Sequence, residues 1–450
     1  MPDTIKIRKG LNINLRGKAE KIFIKAKTAE LFAVKPTDFQ GLLPKLEVAV
    51  NDKVKAGTAL FYDKYHPEIK FTSPVSGIVQ AINRGERRRI LEVVISPDGT
   101  FEYEEFIKAD PASLAREEIV HYLLKSGLWP TVRQRPYNLI ADPAATPKAI
   151  FISAFDTSPL APDYDFLMKE MGQEFQTGIN ALLKLSGGKA HLNIDSTYPA
   201  STVFSNAKGV QINKFMGPHP AGNVGTQIHY IDPINKGEVV WVVSPQDVAT
   251  IGRLFIQGHY DASRIVAVTG SEVINPRYYK TLASSCIRSI TEHNIREGNP
   301  RYISGNVLTG TRVTPNGFLG FYDSQLTVIP EGNHQEFFGW LSPGLKKFSL
   351  SHTFLSRFLP RDEYVIDTNI HGGNRALMIT GNFEKVFPMD IYPMQLLKAI
   401  IIEDIDLMEK LGIYEVVEED FALCEFVDTS KTDIQAIVRK GLDLMYKEMS

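Results

Sequence analysis

The sequence predicts a multidomain protein of mixed α/β and β architecture that closes in helices. Three observations carry this. Between Pro44 and Gly99, short β-favouring runs are punctuated by Asn-Asp, Gly and Pro–Gly corners. Between residues 105 and 255, apolar strand runs alternate with helical periodicity, the pattern of a parallel, doubly wound sheet. From Met394 onward the periodicity is helical alone. A chain of 450 residues accommodates roughly three or four such units. The breaks in pattern place them at 1–104, 105–257, 258–330 and 331–450.

Composition sets the limits. Apolar residues make up 43% and charged residues 23%, enough for several cores. A net charge of −2 gives no reason to expect nucleic acid. Two cysteines, Cys286 and Cys424, rule out a disulfide framework and any cysteine-only zinc or iron–sulfur site, and suit a reducing cytosol. The basic, alternating start is no signal peptide. The longest apolar run, 396–402, is interrupted by Lys398 and falls far short of the roughly 18–20 residues of a membrane span. Charge is polarised. Residues 1–27 hold eight Lys or Arg against Asp3 and Glu20, and residues 401–428 hold ten Asp or Glu against Lys410. Such polarity orients a protein against a partner or an anionic membrane, or simply marks two solvated faces.

The unit from Pro44 to Gly99 contains V-x-x-G-T-x-L at 54–60 and S-P-V-S-G-x-V at 73–79, followed by a hairpin with Arg84, Arg87, Arg88 and Arg89 near its tip. These elements resemble the barrel-sandwich fold of biotinyl and lipoyl carrier domains. The carrier lysine is missing: its place is held by His66, with Lys64 two residues away. The resemblance therefore implies a structural or docking module. The arginine tip is a solvated turn or a dock for an acidic partner or lipid headgroups.

Residues 105–257 read as a Rossmann-like α/β domain. Asp110-Pro111 starts a helix that runs to Gly127. Strands follow at 149–155, 191–194 and 239–243, with an amphipathic helix over 165–184 ending at Gly187-Gly188. Residues 258–330 turn β-rich, with strands at 264–270, 307–310 and 326–330 and a short helix at 284–294. That pattern suits a β-grasp-like module of the SLBB type. After a loop-rich connector over 331–390, a helix over 394–411 stops at Gly412. A last helix near 432–449 puts Ile434, Ile437, Val438, Leu442 and Met445 on one face.

No Walker loop and no complete G-x-G-x-x-G is present. Gly222-Asn-Val-Gly225 is too short for one, and Gly372-Gly373 lies outside any strand–helix junction. The loop at 126–136, S-G-L-W-P-T-V-R-Q-R-P, occupies the place of a flavin or dinucleotide cradle. Its single glycine, Gly127, gives a phosphate no close approach to the backbone. His219 and His229 have no metal-ligand spacing; they are loop-packing residues or donors to a ligand carbonyl. Cys424 stands alone and reads as a buried thiol.

The order of units resembles the flavin-binding subunits of respiratory complex I and of Rnf complexes. The glycines of their flavin loop and three of their cluster cysteines are absent; the Pro130-Thr131 pair and Cys424 remain. Several longer stretches are similar to the A-subunit family of Na+-translocating NADH:quinone oxidoreductases (Na+-NQR). They are Ile5-Lys-Ile-Arg-Lys-Gly-Leu-Asn-Ile, Gly127-Leu-Trp-Pro-Thr-Val-Arg-Gln-Arg-Pro, Phe151-Ile-Ser-Ala-Phe-Asp-Thr-Ser-Pro-Leu-Ala-Pro, His219-Pro-Ala-Gly-Asn-Val-Gly-Thr, Phe338-Gly-Trp-Leu-Ser-Pro-Gly and Ala422-Leu-Cys-Glu-Phe-Val. Asp428 stands where some members carry a second cysteine. The resemblance implies a peripheral subunit on the cytoplasmic face of the bacterial inner membrane, in a six-subunit complex with integral membrane partners. That complex passes electrons from NADH through flavins and iron centres to quinone and exports Na+. It implies no cofactor, catalytic residue or metal on this chain, which is associated with the quinone end of the pathway. Contact with quinone requires an apolar slot with one or two donors. The residues suited to it are Trp129, by stacking, and Arg133, Arg135, His219 and His229, by charge or hydrogen bonding. A purely structural scaffold is the alternative. An independent flavoprotein conflicts with the glycine-poor loop, and a carrier role would require Lys64.

Overall fold

The computed structural model describes residues 4–333, 339, 341, 343–345, 347–351, 354–358 and 363–449. Phe338, Trp340 and Ser342 of the Phe338-Gly-Trp-Leu-Ser-Pro-Gly stretch lie outside the described residues.

Short antiparallel strands build the N-terminal barrel sandwich. One sheet orders Phe32–Val34, Ile90–Pro97, Gly77–Arg84 and Lys53–Val54; the other orders Pro44–Leu46, Ala59–Asp63 and Lys70–Thr72. Phe39, Phe61 and Phe71 fill the space between them, with ring centroids 4.5 and 4.8 Å apart. The Pro–Gly corner has a steric reason: a Cβ at Gly77 would lie 2.0 Å from the Ser96 carbonyl oxygen.

A seven-stranded sheet forms the centre. Its order is Ile5–Lys6, Gln211–Met216, Ala190–Asp195, Ile150–Ser153, Val240–Val242, Arg133–Arg135, Leu139–Ile140. The first five are parallel; Arg133–Arg135 runs antiparallel to Val240–Val242, and Leu139–Ile140 antiparallel to Arg133–Arg135. The two middle strands, Ile150–Ser153 and Val240–Val242, are buried apolar runs, as a sheet covered on both faces demands. Helices Gly172–Leu185 and Pro245–Gln257 cross in close contact. Added Cβ atoms at Gly178 and Gly252 would fall 1.9 and 1.8 Å from the carbonyl oxygens of Val248 and Glu174.

Here two expectations need correction. Asp110 caps only a single turn, Pro111–Ser113, and the α-helix begins afresh at Arg116, where Glu118 accepts the Ala115 N–H. The helix expected over 165–184 is two, Tyr164–Leu167 and Gly172–Leu185. Between them Lys169 places its ammonium over the rings of Phe23 and Phe166.

A six-stranded sheet follows, ordered Thr311–Val313, Pro300–Ser304, Gln325–Pro330, Ser263–Thr269, Arg277–Leu282, Glu20–Lys25. The strand expected at 307–310 is a turn, because Asn306 Oδ1 captures the N–H groups of Leu308 and Thr309. Helix within 284–294 is confined to one turn, Arg288–Thr291.

The C-terminal helices are Pro393–Ile401, Ile405–Lys410, Ala422–Val427 and Ile434–Met449. The helix expected over 394–411 is broken at 402–404. Glu403 has φ +56°, and Asp404 caps the second piece by accepting the Leu407 N–H. Gly412 takes φ +88° beyond the helix end. Ile434, Val438, Leu442 and Met445 are fully buried in the core of this region. Among the described residues no helix is long and apolar enough to cross a membrane.

The N-terminal segment stitches these layers together. Ile5–Lys6 extends the central sheet, Ile13 and Leu15 enter the C-terminal helical core, and Glu20–Lys25 pairs with Arg277–Leu282 in the six-stranded sheet.

Candidate functional site

Counted along the chain from Ile150–Ser153, the parallel strands lie in the order third, second, first, fourth. Chain direction therefore diverges between Ile150–Ser153 and Val240–Val242, and a crevice opens at their carboxyl ends. There the structure holds a cleft of about 140 Å³. Phe155 and Asp156 line it just past Ile150–Ser153, and Val242, Val243 and Ser244 at the end of Val240–Val242. Ser244 caps the helix Pro245–Gln257, its hydroxyl accepting the Asp247 N–H at 3.2 Å, and Pro245 fits the first helical position. His219 and Asn223 approach from the next loop, Arg133 from the antiparallel strand, and Glu419 from the C-terminal region.

The cleft is electrostatically mixed. Arg133 places its guanidinium over the Tyr322 ring, 4.9 Å from the centroid. The Tyr322 hydroxyl donates to the Pro130 carbonyl at 2.7 Å. His219 is 3% exposed, and burial pushes its imidazole down to about 4, so the ring is neutral at pH 7. Its Nδ1 lies 3.2 Å from Thr157 Oγ1, which itself accepts the Gly222 N–H at 2.9 Å. The threonine hydrogen is thus free to point at Nδ1. Burial raises the Asp156 carboxyl, against the pull of the Ser158 N–H at 2.7 Å. Behind the cleft, buried amides form a chain. Asn213 Nδ2 donates to Asn193 Oδ1, Asn193 Nδ2 to Gln227 Oε1, and Gln227 Nε2 to Ser153 Oγ at 2.8 Å. It fixes the serine at the cleft wall.

The residues singled out in the sequence separate into two groups. Arg133 and His219 meet at the cleft. Arg135 lies just behind it, 3% exposed, paired with Glu419 and, at 2.9 Å, with Asp420. Burial pushes the Asp420 carboxyl up to about 6 despite that partner. Trp129 is fully buried; its Nε1 donates to the Ala141 carbonyl at 2.7 Å and its ring meets Trp241 edge to face, so neither face is open to a ligand. His229 clamps helix Val224–Ile231 to the C-terminal region. Its Nδ1 lies 2.7 Å from Glu415 Oε2, and its Nε2 accepts the Asp390 N–H at 3.0 Å. Gly127 ends the helix Arg116–Ser126 at φ +75°, where a Cβ would strike Thr72 Oγ1 at 2.2 Å. Cys424 is fully buried, which raises its thiol well above the usual range. Asp428 accepts the N–H groups of Ser430 and Thr432. His66, at the carrier-lysine position, lies 3.5 Å from Glu68. Among the described residues no three metal-ligating side chains gather.

Asp156, Ser244, Tyr322 and Glu419 escaped the sequence reading. Ser244-Pro245, directly after the apolar run 239–243, is a helix-start signal that marks the strand's functional end. Nothing local announces Glu419, which reaches the cleft through tertiary contact, or Tyr322, which meets Arg133 the same way.

Three family models cover most of the chain. Residues 5–98 match the NqrA N-terminal barrel-sandwich hybrid domain, 114–260 the NqrA second alpha/beta domain, and 265–314 the NQRA C-terminal domain. The A subunit of the Na(+)-translocating NADH-quinone reductase of Neisseria meningitidis serogroup A is 38% identical over 447 residues, 99% of this chain and all of that one. The protein of the same name from Yersinia pestis matches to the same extent. The chain belongs to the A-subunit family, NqrA, of Na+-translocating NADH-quinone reductases. Family membership fixes the barrel-sandwich assignment of the N-terminal domain. Among solved structures, a chain of the NAD+-reducing [NiFe]-hydrogenase in its H2-reduced state covers 49% of this chain, and 48% of that one, at TM-score 0.38 and 14% identity; it bears on neither fold nor function.

Proposed function

We propose that this chain is a peripheral subunit of a Na+-translocating NADH-quinone reductase, supporting electron transfer to quinone coupled to Na+ export. The observation that carries this reading is 38% identity along the whole length of relatives that bear that name. In this reading the chain carries no flavin or iron cluster of its own. It docks on integral membrane and peripheral partners of a six-subunit complex, at the cytoplasmic face of the bacterial inner membrane. The unit boundaries at 1–104, 105–257, 258–330 and 331–450 go with it. So do a Rossmann-like second domain, supported by the third-second-first-fourth strand order, and a β-grasp-like third.

The cleft between Arg133 and His219 is the quinone contact in this proposal. Phe155, Val242 and Val243 offer an apolar wall, and Arg133 a charge that opposes negative charge growing on the quinone oxygens. Arg135 positions the cleft from behind; Trp129 and His229 hold its surroundings. Two measurements test the reading. The tagged chain, drawn from its native membranes in mild detergent, brings integral membrane subunits and flavin absorbance with it; a lone chain carrying its own flavin spectrum overturns the subunit reading. In the assembled complex, Arg133→Gln raises KM for quinone roughly tenfold, as loss of a charge-assisted contact implies. Unchanged quinone kinetics with normal assembly leave the scaffold role, which the bracing geometry of Trp129, Arg135 and His229 favours.

A further inference from the structure

The hairpin of strands Gly77–Arg84 and Ile90–Pro97 leaves the barrel as a two-stranded ribbon. Neighbouring strands pair only with its base, Lys53–Val54 at Gly77 and Ile78, and Phe32–Val34 at 93–95. Its tip carries Arg84, Arg87, Arg88 and Arg89, all exposed. The acids beside them are Glu86 in the turn and Glu92, which Asn83 Nδ2 engages at 3.0 Å. Among the described residues no carboxylate pairs with any of the four guanidiniums; Arg84 donates only to the Arg88 carbonyl.

The turn chemistry points the same way. Arg87 and Arg88 hold φ +52° and +60°. Consecutive left-handed residues in a tight hairpin are normally Asn-Gly or Gly-Gly, because a Cβ is strained there. Two arginines in those places break the local rule with no packing in return, a mark of function rather than of folding.

The tip presents its four guanidiniums to solvent at the end of the two-stranded ribbon. Its geometric complement is a plane of phosphates, each able to take a guanidinium in bidentate fashion. Leu91, 36% exposed beside Gly85, adds an apolar contact. We propose that this arginine tip binds the phosphate headgroups of anionic phospholipids, giving the chain its own grip on the membrane surface. The tip shares no residue with the cleft, so its test is independent of quinone chemistry.

Flotation of the purified full chain with phosphatidylcholine vesicles, with and without phosphatidylglycerol, decides it. Binding is expected only to the anionic vesicles, falling with salt, and weaker by about fivefold for each arginine removed. Replacing all four by glutamine lowers partitioning by roughly several hundredfold. Arg87→Gly with Arg88→Gly weakens binding while raising the melting temperature, because glycine relieves the turn; a merely structural tip shows the thermal gain alone. Unchanged flotation of folded tip variants overturns the proposal. So does loss of flotation on Lys6→Gln, Arg8→Gln and Lys9→Gln instead. A chain that floats with neither vesicle overturns it too, and leaves an acidic protein segment as the occupant.

Discussion

His219 is a basic side chain used as a neutral one. It is buried among groups that offer hydrogen bonds but no countercharge, and its imidazole falls to about 4 from an ordinary value near 6.5. A folded-state value below the unfolded one means that the unfolded chain binds more protons between those limits, so stability rises with pH across them and is lost as pH falls. The expected loss is about 2 kcal/mol between pH 7 and pH 5. Urea titrations at the two pH values check this: His219→Gln, which cannot titrate, should flatten that part of the profile, and an identical slope in the variant would refute the assignment. His229 looks the same in sequence, yet its environment is the opposite, with Glu415 on one nitrogen and a backbone N–H on the other. Sequence shows that both histidines lack metal-ligand spacing; which one faces a cleft depends on partners nearly two hundred residues away.

At the scale of elements, Arg135 joins the strand Arg133–Arg135, one in from the edge of the central sheet, to the turn Glu418–Phe421 that leads into the helix Ala422–Val427. The joint is tight: a Cβ on Gly225 would lie 2.3 Å from Arg135 Nη1 and 2.4 Å from Asp420 Oδ1. Arg135→Met leaves the buried Asp420 carboxylate and the half-buried Glu419 without their partner, and should cost about 3–5 kcal/mol. The double variant Arg135→Met/Asp420→Leu should recover most of that loss, since a buried ion pair contributes little over an apolar one. Thermal unfolding of the two variants separates the effects; a double variant no better than the single would show that the pair itself holds the elements together. Elements were the most legible scale. The strands at 150–153, 190–195 and 263–269 and the final helix follow from apolar runs and periodicity alone. The two helices that break share one cause. A helix that breaks and resumes with its apolar face still inward, as at 168–171 and 402–404, keeps its 3.6-residue pattern, and only a cap such as Asp404 betrays the joint.

At the scale of the whole molecule, the N-terminal segment decides how the layers depend on one another. Its strand pairings were invisible in the sequence, because register with residues two hundred positions away leaves no local mark. The Leu11 N–H reaches the His219 carbonyl, the Arg16 N–H reaches Tyr364, and Ile13 and Leu15 fill the helical core between these anchors. Replacing both Ile13 and Leu15 by alanine should remove about 4–8 kcal/mol of packing, comparable to the total stability of a typical domain. That loss falls on one interface, so it should release the C-terminal helices before the central sheet. Native-state hydrogen exchange reads the order: amides in Pro393–Ile401 and Ile434–Met449 should lose protection, while those in Ile150–Ser153 and Ala190–Asp195 keep theirs. Simultaneous loss in both regions would mean that the chain unfolds as one unit. Because Glu419 walls the cleft and anchors Arg135 from the helical side, the same variant should also open the cleft. Under the proposed quinone contact, its KM for quinone in the assembled complex should rise with the loosening of the helices, with every cleft side chain still in place.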